Sequence, residues 1–445
     1  MAAGPARMKV AVAGMWHLGT VTAACLAAAG HDVTGFDPDA DTIARLARGE
    51  PPLFEPGLQD LVGEGLSNGR LRFTANQRAA LEDAAVLWIT FDTPVDDDDR
   101  ADVDAVVASV ERLFPDVPEG CVVLMSSQLP VGTTRRLEES FVRGICGRRV
   151  SFAYSPENLR LGQAIDRYRR PPLPVMGSDD AAVMDKLERL FAPCGVAWQR
   201  TDLRTAEMSK HALNAFLAVS ICFANEIGNL CDELGADGHR LAEILRLEPR
   251  VGPKAMLFPG LGFSGGTLAR DMQTLRRLAV QLELETPLLD GAWSSNRRQN
   301  GIVVRRLARA FGGSLQDRHI AVLGLTYKPD TSTLRRSAAL EVIADLHRAG
   351  ARITAHDPKA DRAEVGRAAG FEFHEDALEA ATGADALVLM TPWAQYESLD
   401  FGRARKAMKG NLIFDTANLW SGEKVEAMGF RYLDIGRGRK AGAEA

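Results

Sequence analysis

Short apolar runs of strand length recur through the chain, and most close on glycine, aspartate or a Thr-Pro pair. The first, Lys9 to Ala13 (KVAVA), is almost wholly apolar, as a strand buried on both faces of a parallel sheet must be. It runs into GMWHLG (Gly14 to Gly19), an alanine-rich helix over Thr20 to Ala29, and a second strand, His31 to Phe36, that ends at Asp37. Further strands are expected over Ala85 to Thr90, Val122 to Met125, Val150 to Tyr154 and Leu173 to Met176. From about Asp202 the period changes. Ala206 to Leu234 carries apolar residues at helical spacing with no proline, and Pro287 to Phe311 predicts another long helix, with proline in the first turn where its missing donor costs nothing. At His319 a strand (HIAVLGL) opens a second α/β unit, with later strands over Ala351 to His356, Ala386 to Met390 and Leu412 to Asp415. The expected fold is α/β, two Rossmann-like doubly wound domains joined by a long central helical region, with boundaries at 1–201, 202–312 and 313–445.

Composition narrows the classes. A chain of 445 residues, 46% hydrophobic and 25% charged, has room for two or three globular domains. A net charge of −6 argues against a general nucleic-acid binder. Cys25, Cys121, Cys146, Cys194, Cys222 and Cys231 are scattered without a CxxC pair, which suits free thiols in a reducing cytoplasm, with neither a disulfide framework nor a zinc site. No metal site is expected, and the acidic run Asp96 to Asp99 reads as a solvated loop. No apolar run is expected to span a membrane, and MAAGPARMKV has no signal-peptide apolar region. That lead, and the tail from about Arg437, read as disordered.

Three stretches carry candidate chemistry. Strand, glycine turn, helix, strand and acid form the dinucleotide-binding unit, with Gly14, Trp16, His17, Leu18 and Gly19 at the pyrophosphate turn. Asp37 is placed to take ribose hydroxyls and would repel a 2′-phosphate, so NAD is expected over NADP. Trp16 stands where the middle glycine lets backbone approach the pyrophosphate; the turn still works if the indole points away, and the alternative is a Rossmann-like domain that binds nothing. The second stretch is Gly260 to Asp271 (GLGFSGGTLARD). There glycines, then Thr267, Arg270 and Asp271, precede an amphipathic run (Met272, Leu275, Leu278), giving either an anion or cofactor pocket or an ordinary loop. The third is the pair Lys210 and Asn214, four apart and therefore on one helix face. They can bind and polarise a reacting hydroxyl, or be two solvated side chains.

These stretches resemble the UDP-glucose/GDP-mannose dehydrogenases. GLGFSGGTLARD is similar to that family's GFGGSCFPKD: Gly262, Phe263, Gly265 and Asp271 fit, the family's catalytic cysteine falls on Thr267, and its lysine on Arg270. EPPLFEPGL matches the family's EPGL stretch, Asp92-Thr93-Pro94 its TP loop, and SSQLPVGTT its KSTVPVGTT with Gln128 in place of the threonine. SPENLRLG resembles NPEFLREG, keeping Pro156 and Glu157 but with Leu161 for the later glutamate. EMSKHALNAFLA (with Glu207), NEIGNLCDELGAD and Pro249-Arg250-Val251-Gly252 also fit. TYKPDTSTLRRSA resembles FKPDTDDLRESP, with Ser332 and Thr333 at the two acidic positions, and DTAN stands for DxRN, with Ala417 for the arginine. The likeness runs from Val10 to about Gly436.

The resemblance implies catalytic roles for Lys210, Asn214, Asp271, Glu157 and Thr267. It implies cofactor contacts from Gly14, Trp16, His17, Leu18, Gly19, Asp37, Thr93, Pro94, Gln128 and Arg335. Substrate contacts fall to Glu157, Leu159, Lys210, Asn214, Arg250, Phe258, Gly262 and Lys328. It further implies NAD, a UDP-, GDP- or other sugar nucleotide, and a homodimer built on the central helix.

The family oxidises a sugar alcohol twice, through a thioester on the cysteine. A thiolate serves because its pKa lies near neutrality and it is strongly nucleophilic. Thr267 offers neither property, so no covalent thioester is expected. Hydride transfer needs only a positioned cofactor, a base and a dry pocket. Three outcomes remain: a single two-electron oxidation, a transient oxidation that epimerises the sugar, or full oxidation through a hydrate with Asp271 activating water. The other classes are a pseudoenzyme that binds NAD or sugar nucleotide, and a β-hydroxyacid dehydrogenase, which lacks the second α/β domain.

Overall fold

Apart from their end residues the central strands are apolar, because each feeds two cores at once. In the computed structural model, Val10 and Val12 of β1 (Lys9–Ala13) enter one cluster with Val86, Trp88, Val122 and Leu124. The alternate residues Ala11 and Ala13 enter the opposite cluster with Leu87, Ile89, Val123 and Met125. A strand covered by helices on both faces has no polar side to present, so its period-two signal vanishes into a continuous apolar run. The structure describes residues 7–438 except 95, 97–100, 146, 265, 335 and 369. The expected disordered lead at 1–6, the tail at 439–445 and most of the acidic run lie outside the described residues.

The chain forms two compact units, Met1–Leu213 and Asn214–Ala445. The first holds an eight-stranded sheet. To β1 are added β2 (Asp32–Phe36), β3 (Leu71–Thr74), β4 (Val86–Ile89), β5 (Val122–Met125), β6 (Ser151–Tyr154), β7 (Val175–Gly177) and β8 (Gln199–Thr201), in the order 3-2-1-4-5-6-7-8. All neighbours are parallel except β6 and β7. The second unit holds β9 (His319–Leu323), β10 (Arg352–His356), β11 (Glu372–Phe373), β12 (Ala386–Leu389), β13 (Leu412–Asp415) and β14 (Arg431–Leu433), all parallel, in the order 11-10-9-12-13-14. It repeats the two-core rule: Ile320 and Val322 face one cluster, Ala321 and Leu323 the other. Both sheets are of the doubly wound Rossmann type that the sequence predicts.

Several helices carry or flank the candidate residues. α1 (His17–Ala28) starts three residues before the expected Thr20, so it follows the glycine turn directly. α2 (Thr133–Gly144) and α3 (Ala164–Arg169) belong to the first unit. α4 (Leu203–Leu234), the long helix, contains the boundary between units. Contrary to the sequence expectation, α4 is long and apolar enough, by length and composition, to cross a membrane. The helix expected over Pro287 to Phe311 is two, α6 (Pro287–Asn300) and α7 (Ile302–Ala310), preceded by α5 (Gly266–Gln281); Gly301 is the last cap of α6 and the first of α7. Glycine is a poor helix residue, and the apolar period runs on through the break, which hides it.

Candidate functional site

The turn after β1 is shaped by its outer glycines. Gly14 has φ +99, and a Cβ there would lie 2.8 Å from the Phe91 backbone nitrogen. A Cβ on Gly19 would lie 1.8 Å from the Gly14 carbonyl oxygen, so α1 packs against the turn only because none is present. Thr90 Oγ1 donates to the carbonyls of Ala13 and Gly14, both at 2.9 Å, and pins the turn to β4. Trp16 has φ −84, a conformation open to any residue, and its indole is half exposed. The middle position therefore requires no glycine for backbone reasons.

The first turn of α1 has no side-chain cap and no acidic residue. Its free N–H groups and the helix dipole suit an anion such as a pyrophosphate. Asp37 Oδ2 accepts from Met15 N at 2.7 Å and Oδ1 from Asp39 N at 3.0 Å. A carboxylate has about four acceptor positions, so lone pairs remain for ribose hydroxyls. Gly14, the α1 N-terminus and Asp37 thus fit a dinucleotide. Thr93, at the other lip of the sheet, is buried and donates its hydroxyl to the Gln128 carbonyl at 3.1 Å, which joins the Thr93-Pro94 loop to the 126–134 loop.

α4 holds that second loop with two residues one turn apart. Glu207, fully buried, accepts from Gly132 N (2.5 Å), Thr134 N (2.9 Å) and Thr134 Oγ1 (2.6 Å), and so caps α2 from a distance. Buried His211 bonds the Leu129 carbonyl at 2.9 Å. Lys210, on the neighbouring stripe, has a largely buried side chain with Nζ 4.0 Å from Glu157 Oε2. Glu157 also accepts from Leu159 N. A cavity of about 40 Å³ beside this loop is lined by Leu18, Thr22, Ser126, Glu157 and Leu159 among others. It brings the expected cofactor residue Leu18 together with the expected substrate residues Glu157 and Leu159.

Within the second unit Asn214 donates Nδ2 to Asp271, and both are buried. α5 begins at Gly266, so Thr267 and Asp271 stand four apart on a helix, Thr267 exposed in the first turn. The glycine stretch ahead of it is tied down by amide side chains. Asn225 Oδ1 accepts from Gly260 N (2.8 Å) and its Nδ2 donates to the Leu261 carbonyl (3.1 Å). Asn296 pairs both ways with Phe263, at 2.7 and 3.0 Å, and Gln299 donates to the Gly260 carbonyl at 2.7 Å. A Cβ on Gly262 would lie 2.5 Å from Asn300 Oδ1, so this glycine serves close approach to α6. Two of the loop's N–H groups are therefore spent inward.

The remaining expected residues are dispersed. Phe258 is part-exposed, with the Arg246 guanidinium 5.0 Å and the His239 ring 5.4 Å from its centroid. Arg250 reaches outward and pairs with Glu248 at 2.8 Å. Lys328 follows β9, its Nζ 5.8 Å from the Tyr327 ring. Arg335 lies outside the described residues. Sequence reasoning singled out neither Glu55, which is buried in the proline loop, nor the three amides. Nothing in their spacing separates a buried amide that reads backbone from one on a solvated face.

Sequence models of the UDP-glucose/GDP-mannose dehydrogenase family match its NAD binding domain at residues 8–195, its central domain at 204–298 and its UDP binding domain at 321–422. The chain is 36% identical to a UDP-glucose 6-dehydrogenase of Pseudomonas aeruginosa, covering 98% of this chain and 99% of that one. It superposes on a UDP-glucose dehydrogenase of Pyrobaculum islandicum with a TM-score of 0.87 at 30% identity, covering 95% of this chain and 97% of that one. For a UDP-D-ManNAc dehydrogenase of Pyrococcus horikoshii the TM-score is 0.85 at 26% identity, covering 97% and 100%. The chain belongs to the UDP-glucose/GDP-mannose dehydrogenase family: it is an NAD-dependent oxidoreductase acting on a nucleotide sugar.

Proposed function

We propose that this chain oxidises a UDP-sugar by a single two-electron step, without a covalent thioester. The carrying observation is the absence of a ready thiolate among the described residues. Burial pushes Cys25 and Cys121 up to about 12 and Cys222 up to about 11, and raises Cys194 and Cys231. Cys222, which packs in one cluster with Phe263 and Met272, gives its S–H to the Ala292 carbonyl at 3.2 Å. Thr267 occupies the position where the family motif carries cysteine, and a hydroxyl is a weak nucleophile without a strong base.

Bound NAD supplies the hydride acceptor. Lys210, as the amine, takes the hydroxyl proton while the C–H electron pair leaves as hydride, and a carbonyl product results. Glu157 fixes Lys210 from one side. One helical turn on, Asn214 is oriented by Asp271 and offers its amide to the reacting oxygen. The uridine assignment is supported by the match to the family's UDP binding domain at 321–422 and by the relatives' names.

The same reading assigns a dinucleotide-binding part to 1–201, a central part to 202–312 and a sugar-nucleotide part to 313–445. It makes the protein a homodimer of the cytoplasm. The pairing is supported by Phe216, Phe223 and Leu230, which recur every seven residues along α4 with 69%, 49% and 57% of their surface exposed.

The test counts NADH formed per UDP-sugar consumed and identifies the product by mass. One NADH with a carbonyl product is expected, and Lys210→Ala lowers kcat by about 10²–10⁴-fold. Thr267→Cys is expected to move the count from one towards two. Two per sugar from the unaltered chain overturns the reading. Isomerisation without NADH makes the protein an epimerase, and no product from any UDP-sugar makes it a binding protein.

A further inference from the structure

The proline loop at 50–58 places one buried carboxylate among three segments of the first unit. Glu55 has 4% of its surface exposed. Its Oε1 accepts from Ala164 N at 2.7 Å, and its Oε2 from Gly162 N at 2.9 Å. The same Oε2 lies 3.1 Å from His17 Nε2. A carboxylate only accepts, so Nε2 carries the proton in this pair. His17 is the first residue of α1, within the turn that fits the pyrophosphate. Gly162 and Ala164 close the loop that carries Glu157 and Leu159, and Ala164 opens α3, which has no side-chain cap of its own. The loop's other end is tied by Asn158 Nδ2 to the carbonyls of Pro156 (3.0 Å) and Leu173 (2.9 Å).

We infer that Glu55 is a positioning residue that couples the cofactor turn to the Glu157 loop through His17. A ligand that settles the first turn of α1 fixes the His17 ring, the ring fixes Glu55 Oε2, and the carboxylate, holding Gly162 N on that oxygen and Ala164 N on the other, fixes the loop that carries Lys210's partner. The inference rests on the proposed placing of NAD and Glu157 but not on which product forms. Charge alone is not the requirement. All three partners donate, so an amide at position 55 would set its own N–H₂ against a donor.

The test measures hydrogen exchange of the amides over 155–164 with and without saturating NAD, with no sugar nucleotide present. Binding is followed separately by calorimetry. NAD is expected to slow exchange there about tenfold in the unaltered chain, a typical coupling between two sites. Glu55→Gln should bind NAD but lose that slowing, and His17→Phe should lose it too once the NAD concentration is raised to saturate that variant. At saturating NAD they should also lose about tenfold in kcat, with the KM for sugar nucleotide shifted less. His17→Gln, whose amide still donates to Glu55, should restore both. Equal slowing in His17→Phe, or none in the unaltered chain, overturns the coupling whatever the NADH count shows. Failure of NAD to bind at all overturns it together with the placing of the cofactor.

Discussion

Two acids at equivalent places in the two sheets behave in opposite ways. Asp37 follows β2 and Asp357 follows β10, and each of these strands lies beside the first strand of its own sheet. Asp37 is half-buried and accepts from Met15 N and Asp39 N, one bond for each oxygen. Asp357 is fully buried and crowded. Its Oδ2 accepts from Leu325 N (2.7 Å), Thr326 N (2.9 Å), Thr326 Oγ1 (3.1 Å) and Trp393 Nε1 (3.1 Å), and its Oδ1 from Lys359 N and Ala360 N (both 2.8 Å). The turns differ in the same sense. After Gly14 a helix begins at His17, but after Gly324 the next helix begins only at Ala338. One Rossmann turn leaves a helix N-terminus and spare acceptors for a dinucleotide. The other fills the same acid with its own backbone and an indole. Topology places the acid, and its neighbours decide whether it binds a ligand or holds the fold.

Replacing each acid in turn should separate the two roles. Asp357→Ala would strip a buried cluster of donors of its acceptor. Each unsatisfied buried group costs about 1–3 kcal/mol, so a loss above about 4 kcal/mol is expected. Limited proteolysis should then cut rapidly within 314–438 while 7–200 stays protected. Asp37→Asn should leave proteolysis unchanged and weaken NAD about tenfold, the scale of one hydrogen bond to a charged group, with NADP gaining relative to NAD as the repelling charge disappears. Calorimetry with both dinucleotides reads that directly. Equal stability losses for the two variants would show that Asp37 is also a fold residue.

The same contrast explains how much could be read in advance. β5 was legible to the residue because a doubly covered strand has no polar side and its ends fall where polarity returns, and β13 because its apolar run closes on a buried aspartate, Asp415. The turn after β1 was legible because Gly14 and Gly19 meet steric demands that no other residue satisfies. Asp37 and Asp357 look alike in sequence, since the donors that fill Asp357 Oδ2 come from Leu325, Thr326 and Trp393, at residues far apart in the chain. The start of α5 at Gly266 was hidden because adjacent glycines argue against helix, yet a first turn needs few intrahelical bonds. Glu55 was hidden because all its partners lie on other segments, two of them backbone amides that carry no sequence signal.

The two sheets should also differ, more weakly, in their response to acid. In the first sheet, burial lowers the pKa of His31, beside β2. In the second, burial lowers both His319 and His356, which begin β9 and end β10. His319 shows why. The Arg352 guanidinium, a donor only, lies 2.8 Å from Nδ1, so that nitrogen must offer its lone pair. Nε2 then donates to Thr354 Oγ1 at 2.9 Å, and that hydroxyl donates onward to the Ala380 carbonyl at 2.6 Å. A proton on Nδ1 would face a cation and break the relay. Each folded pKa lies below the unfolded one, about 6.5. Below that value the unfolded chain binds protons that the folded chain refuses, so stability is complete above about pH 6.5 and falls as pH drops through it. Hydrogen exchange at pH 7.5 and 5.5, corrected for intrinsic rates, should therefore show protection lost more at 319–323 and 352–356 than at 9–13 and 32–36. Replacing Arg352 by Met, which keeps a long apolar stem but removes the cation, should narrow that difference by letting His319 accept its proton. Equal loss in both sheets, or a wider gap in Arg352→Met, would mean that the relay does not hold His319 neutral.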